Sequence, residues 1–132
     1  MSTKSYEDLD VYRRAFAMLK PVHDLALRLP DYEKFDLANQ MRRASKSIPT
    51  NIAEGYGRRR SPKEFCSFLS LALGSANEME VHFKVALELQ YIDQQTYDGF
   101  AQSYSTIAKQ LSSLIRYWRS VEQAAREPLP DG

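Results

Sequence analysis

From Lys63 to Glu127 the chain runs without a single proline, and its apolar residues return there every three or four positions. Strands would need alternation and frequent turn residues, so this half is expected to be long helix. It divides near Asp93, which has the character of an N-cap. The upstream piece opens on Ser61-Pro62-Lys63-Glu64, with Ser at N-cap, Pro at N1 and Glu at N3, the pattern of a capping box. Its inward stripe is Phe65, Leu69, Ala72, Ala76, Met79, Phe83 and Ala86. Phe68, Leu71, Leu73, Val81, Val85 and Leu89 lie off that stripe, so the apolar surface is wider than one bundle face needs. Ala72-Leu73-Gly74-Ser75-Ala76 would permit close helix approach. The downstream piece carries Tyr97, Phe100, Tyr104, Ile107, Leu111, Leu114, Trp118, Val121 and Ala125 on a heptad seam.

The N-terminal half shows the same period with interruptions. Val11, Ala15, Met18, Val22, Leu25 and Leu29 form one stripe, with Asp10 as the expected N-cap. Pro21 removes a backbone donor and crowds the carbonyl of Ala17, so a kink or break is expected there. Leu37, Met41, Ala44, Ile48 and Ile52 form the next stripe, interrupted by Pro49. A kinked continuous helix is the first reading of that segment, two short helices the second. Gly55 and Gly57 are expected to end it, since glycine tolerates the left-handed C-terminal conformation.

The expectation is an all-α, antiparallel up-down-up-down four-helix bundle, one domain over residues 1–126. Its helices run at about 9–29, 36–56, 62–90 and 94–125, and 127–132 read as a frayed tail. A three-helix core with a detached first helix is the alternative. With 43% hydrophobic residues and a net charge of +1 the chain is not of the disordered class. No run of apolar residues is long enough to span a membrane, and the opening residues lack the apolar stretch of a signal peptide. The lone Cys66 excludes an intrachain disulfide and fits a reducing compartment, so the expected location is cytoplasmic.

Charge is unevenly spread. From Leu37 to Lys63, Arg42, Arg43, Lys46, Arg58, Arg59, Arg60 and Lys63 face only Glu54, a local balance of +6. From Glu64 to Asp98 six acids face only Lys84, a balance of −5. In an up-down bundle Arg13, Arg14, Arg58, Arg59, Arg60, Lys63, Arg116, Arg119 and Arg126 would gather toward one end. Glu7, Asp8, Asp10, Glu122 and Glu127 join them there, and the opposite end is acidic. The functional reading is that Arg42, Arg43, Lys46, Arg58, Arg59, Arg60 and Lys63 contact RNA or DNA phosphates. The plainer reading is a solvated loop whose arginines complement a helix dipole.

Catalytic signals are missing. Glu78 and His82 share a helix face, but no paired Glu-x-x-His set accompanies them, so no metal or other cofactor is expected. His82 reads as a surface or interface residue. Cys66 has no dyad partner in view and reads as a packing group. No P-loop occurs, and Gly55-Tyr56-Gly57 follows a helix, so it is not a dinucleotide turn. An enzyme is not expected. Asn51 and Glu54, beside Pro49, have two readings: ligand contact, or satisfaction of backbone donors freed near the proline or at a helix end.

The run from Arg42-Arg43-Ala44 through Ser47-Ile48-Pro49-Thr50-Asn51-Ile52-Ala53-Glu54-Gly55-Tyr56-Gly57-Arg58 resembles the signature of a four-helix-bundle family, also called the 23S ribosomal-RNA intervening-sequence protein family. Tyr6-Glu7-Asp8-Leu9-Asp10-Val11-Tyr12, Lys63-Glu64-Phe65, Ala72-Leu73-Gly74-Ser75 and Leu87-Glu88-Leu89 are similar to its other segments. Together they span roughly residues 5 to 120. The resemblance implies a closed homopentamer with no established catalytic activity. It also implies a relation to accessory proteins of diversity-generating retroelements, which are basic pentamers that bind nucleic acid and a reverse transcriptase. This chain differs from them in being nearly neutral. The partners expected are therefore further copies of itself, RNA or DNA, or another protein, and no membrane.

Overall fold

A computed structural model describes residues 5–126, and every regular element in them is helical. A 3-10 turn at Tyr6–Asp8 leads into α1 (Asp10–Ala17) and α2 (Leu19–Arg28). A second 3-10 turn at Asp31–Glu33 precedes α3 (Leu37–Gly57), α4 (Pro62–Glu88) and α5 (Gln94–Arg126). The run read as a frayed tail, Glu127–Gly132, lies outside the described residues, as do residues 1–4.

Pro21 breaks the first helix, but upstream of itself. Met18 adopts φ −80°, ψ −11°, and its N–H donates to the Ala15 carbonyl at 3.2 Å. The Val22 N–H then reaches the Met18 carbonyl at 3.1 Å. Pro21 thus falls in the first turn of α2, where a missing N–H costs no helical hydrogen bond. Asp10 does not cap α1. Its carboxylate accepts from Arg14 Nε and from Gln110 Nε2 of α5, each at 2.7 Å. In α3 the helix runs unbroken past buried Pro49 for 21 residues.

The two glycines of α3 do not end it by turning left-handed. Gly55 and Gly57 are both helical, and the cap is Arg58 at φ −108°, ψ 16°. Gly55 is a point of close approach instead. A Cβ there would stand 2.7 Å from Phe68 Cβ and 3.0 Å from Phe65 Cδ1, both on α4. Gly74 has open space around it and makes no such approach. The left-handed residue is Gln90, at φ 62°, which closes α4 as Tyr91 N–H bonds the Ala86 carbonyl at 2.8 Å. At the other end of α4, Ser61 Oγ accepts from the Glu64 N–H at 3.2 Å, while the Glu64 carboxylate lies 3.6 Å from Arg58.

The core is where the stripes meet. All seven inward residues of α4 are buried, between Met41, Ala44, Ile48 and Ile52 of α3 and Tyr104, Ile107, Leu111 and Ile115 of α5. On α5 the heptad expectation drifts. Ile115 is buried, Leu114 is half-buried and Ala125 is exposed: a seven-residue repeat drifts round a helix of 3.6 residues per turn. α1 packs against α3 and α5, and α2 against α3, so the first helix is not detached. Between α3 and α4 the neighbours are Ser47 with Ser75 and Tyr56 with Phe65. Between α4 and α5 they are Phe65 with Trp118 and Phe83 with Phe100, whose rings stack at 4.7 Å.

Two buried polar atoms, the Tyr104 hydroxyl and Gln110 Oε1, are left without a hydrogen bond among the described residues. The Tyr104 ring packs 5.4 Å from Phe83, and its hydroxyl finds no partner among the described residues. Burial pushes its pKa well up. Tyr104→Phe is expected to stabilise the protein by about 1 kcal/mol, because it removes a desolvated, unsatisfied hydroxyl at almost constant volume. Urea unfolding measures the change, and a loss of stability would show that the hydroxyl does have a partner.

Two carboxylates tie the fold to pH. Asp93 Oδ1 accepts the Thr96 N–H at 2.8 Å, capping α5 and holding its own pKa below 3.8. The Arg14 and Gln110 hydrogen bonds lower Asp10 in the same way. A folded-state pKa below the unfolded value stabilises above that value, and the benefit is lost as pH falls through the lowered one. The thermal midpoint is expected to drop as pH falls below about 4. Asp93→Ala is expected to lower the midpoint at neutral pH and to flatten this acid limb.

Candidate nucleic-acid interface

The basic residues do not form one patch. On α3, Arg42 turns back toward the start of its helix, where Nη2 donates to the Lys34 carbonyl at 3.0 Å. Arg43 lies in the cleft between α3 and α4 with Gln40, Ser47, Ser75 and Glu78. Lys46, three positions on, lines the groove on the other flank with Tyr6, Tyr12 and Phe16. Sixteen residues of helix put Arg42 and Arg58 roughly 24 Å apart.

The α3–α4 loop holds two of its three arginines at home. Arg58 pairs with Glu54 at 3.2 Å and with Glu64 at 3.6 Å, and its guanidinium lies 5.3 Å from the Phe68 ring centre. Arg59 donates to the Tyr56 carbonyl at 2.9 Å and stacks 3.9 Å over the Tyr56 ring. Arg60 is exposed and makes no ion pair among the described residues. Lys63, exposed on the first turn of α4, lies in a cleft with Arg119 of α5. Arg14 and Arg126 are each drawn into an ion pair four residues along their own helix.

The polar residues around Pro49 serve the fold differently from the expectation. Asn51 Nδ2 donates to the Ser47 carbonyl at 2.8 Å and to Ser47 Oγ at 2.9 Å, and Ser75 Oγ meets Ser47 Oγ at 2.9 Å. Asn51 therefore supplies a donor to a carbonyl; it does not satisfy a freed N–H. The chain Asn51–Ser47–Ser75 ties α3 to α4 beside the proline. Glu54 accepts from Arg58.

Of the two positions expected for His82, surface or interface, the surface one fails: the residue is buried within the protomer, and its Nε2 stands 2.8 Å from Glu78 Oε2. No group of three metal-ligating side chains comes together among the described residues. Cys66 is buried beneath α5, its thiol facing the Ile115 carbonyl at 3.7 Å, and burial raises its pKa away from the reactive thiolate.

Sequence reasoning missed a cluster at the opposite end. Glu33 is buried, accepts the Tyr91 hydroxyl hydrogen at 2.7 Å and stands 3.4 Å from the Leu37 N–H. Tyr91 also lies 3.1 Å from the Tyr32 hydroxyl, and the two partners raise its pKa, Tyr32 first. Only the four-residue offset of Glu33 from Leu37 hinted at a capping role. Among the described residues no helix is long and apolar enough to cross a membrane.

Comparison with known proteins bears on the family and the fold. The model of the 23S rRNA-intervening sequence protein family matches residues 7–113. A solved structure from Bacteroides thetaiotaomicron VPI-5482, described as a protein with unknown function from the S23 ribosomal protein family, is similar with 27% identity and a TM-score of 0.73. The likeness covers 80% of this chain and 95% of that one. No curated protein matches.

Proposed function

Since the chain belongs to the 23S rRNA-intervening sequence protein family, we propose that it is a non-enzymatic, cytoplasmic scaffold that self-associates and presents its basic groups to RNA or DNA backbone. The helices run antiparallel, up-down-up-down. The falling register of the α3–α4 and α4–α5 neighbours supports that arrangement. Copies join through the outer face of α4 into a closed ring, for which five subunits is the number the family resemblance implies. Exposed Leu71, Val81, Val85 and Leu89 on that face support the association.

The observation that carries the nucleic-acid reading is that Arg43, Lys46, Arg60 and Lys63 are all exposed and lack acidic partners among the described residues. Arg58 and Arg59 are braced within the protomer, so Arg60 is the loop residue best placed to reach a phosphate. Labelled RNA and DNA are titrated at low salt and again at rising salt. Each lost phosphate contact should reduce the salt slope by about 0.7 to 0.9. Arg60→Gln is expected to weaken binding more than Arg58→Gln. Absence of binding, or binding indifferent to replacing Arg58, Arg59 and Arg60 together, would count against the reading.

One observation favours a second reading. The pairing of Arg58 with Glu54 and Glu64 neutralises part of the loop, as suits an adaptor that recruits a protein and leaves nucleic acid alone. The same titration separates the two.

A further inference from the structure

Between the first turns of α4 and the last third of α5 lies a cleft of about 400 Å³, lined by Lys63, Cys66, Ser67, Ser70, Arg119 and Glu122. Lys63 and Arg119 are exposed, and neither makes an ion pair among the described residues. The one acid of the cleft, Glu122, is held by Arg126 Nε at 2.9 Å. Two cations thus line the cleft, and its one carboxylate is paired with an arginine from outside it. Ser67 spends its hydroxyl hydrogen on the Lys63 carbonyl at 3.1 Å, whereas the exposed Ser70 hydroxyl remains a usable donor. Cys66 brings no negative charge to the floor, since burial keeps its thiol protonated.

We propose that this cleft is a subsite for a phosphate group, gripped by the Lys63 ammonium from α4 and the Arg119 guanidinium from α5, with Ser70 as a further donor. Guanidinium suits the task because its planar fork gives two parallel hydrogen bonds to two phosphate oxygens, while the ammonium adds a compact charge. The subsite adds Arg119 to the interface, a residue far from the basic run in sequence. As the seat of one phosphate of a bound strand it rests on the nucleic-acid reading above. Free inorganic phosphate offers the same chemistry.

Trp118, the only tryptophan of the chain, adjoins Arg119, and its ring packs 5.0 Å from Phe65, next to Cys66. Its fluorescence is read alongside isothermal titration calorimetry, which registers binding directly. The full-length protein is titrated at low salt with inorganic phosphate, with a 5′-phosphorylated oligoribonucleotide, and with the same strand lacking that phosphate. A saturable change is expected, weakened about tenfold or more by Lys63→Gln and by Arg119→Gln. Glu122→Gln should tighten binding, and Lys109→Gln, removing an exposed charge elsewhere on α5, should leave it unaltered. Far-ultraviolet circular dichroism confirms that each variant is folded.

A response to the strand but not to free phosphate, lost in Lys63→Gln and Arg119→Gln, supports the subsite with nucleic acid as the source. A response to phosphate alone supports it with free phosphate as the source and removes the nucleic-acid reading. Strand binding that ignores both substitutions overturns the subsite and leaves that reading standing. No response to any of the three probes overturns the subsite.

Discussion

Gly55→Ala is expected to destabilise the protein, although alanine is the better helix former. In an unobstructed helix the exchange would gain up to about 1 kcal/mol. Here the new methyl would meet Phe68 Cβ at 2.7 Å. That carbon is bonded directly to the α4 backbone, so it cannot swing aside as a side-chain tip could. α3 and α4 must separate, and Phe65 and Tyr56, which pack edge to face beside the contact, must move with them. Overpacking of this kind costs about 1–3 kcal/mol, which exceeds the propensity gain. Gly57→Ala is the control: nothing lies within 4 Å of its Cβ position, so it should be neutral or mildly stabilising. Urea unfolding of the pair reads the sign directly. If Gly55 served only to terminate the helix, both substitutions would behave alike.

Val81→Glu combined with Val85→Glu is expected to release the protomers of the proposed assembly. Leu71 is 57% exposed, Val81 55%, Val85 37% and Leu89 50%, all on α4 and at spacings that share one face. Single exposed apolar residues are ordinary; Val81, Val85 and Leu89, each four residues from the next, form a surface in want of a partner, with Leu71 further up the helix beyond Gly74 and Glu78. Both valine side chains are part-buried already, so covering the rest yields about 1 kcal/mol each, while a carboxylate buried there unpaired costs more; charging both should weaken association about a hundredfold or more. The positions face solvent within the protomer, so the thermal midpoint of the dissociated chain should change little. Sedimentation velocity measures the outcome, and a variant that sediments as wild type would place the contact elsewhere.

Local rules carried much of the fold. Ser61 and Pro62 announced α4, Asp93 announced α5, and the α4 stripe was legible because a buried face imposes its period on sequence. The exceptions share a physical cause. The break caused by Pro21 appears at Met18 because the lost hydrogen bond and the steric clash act on the preceding turn. Gly55 looked like a terminator because its reason for being glycine lies on another helix. Gln90 adopts the left-handed cap without the residue that usually marks it. Ile115 is more buried than Leu114 because a strict seven-residue template drifts against the 3.6-residue turn of an α-helix. The interface was legible in part. Charge counting found the basic residues, but the pairing of Glu54 with Arg58, four residues further along the chain, was not read from their spacing. Which flank of α3 each cation faces, and that Lys63 and Arg119 share a cleft, are consequences of packing that a linear reading does not contain.

The most direct test of the account is the molar mass of the wild-type protein by light scattering over a wide range of concentration. One protomer weighs 15.2 kDa. A defined multiple of that mass is expected, constant over a broad range, as a closed ring requires. A mass of one protomer at every concentration would contradict it.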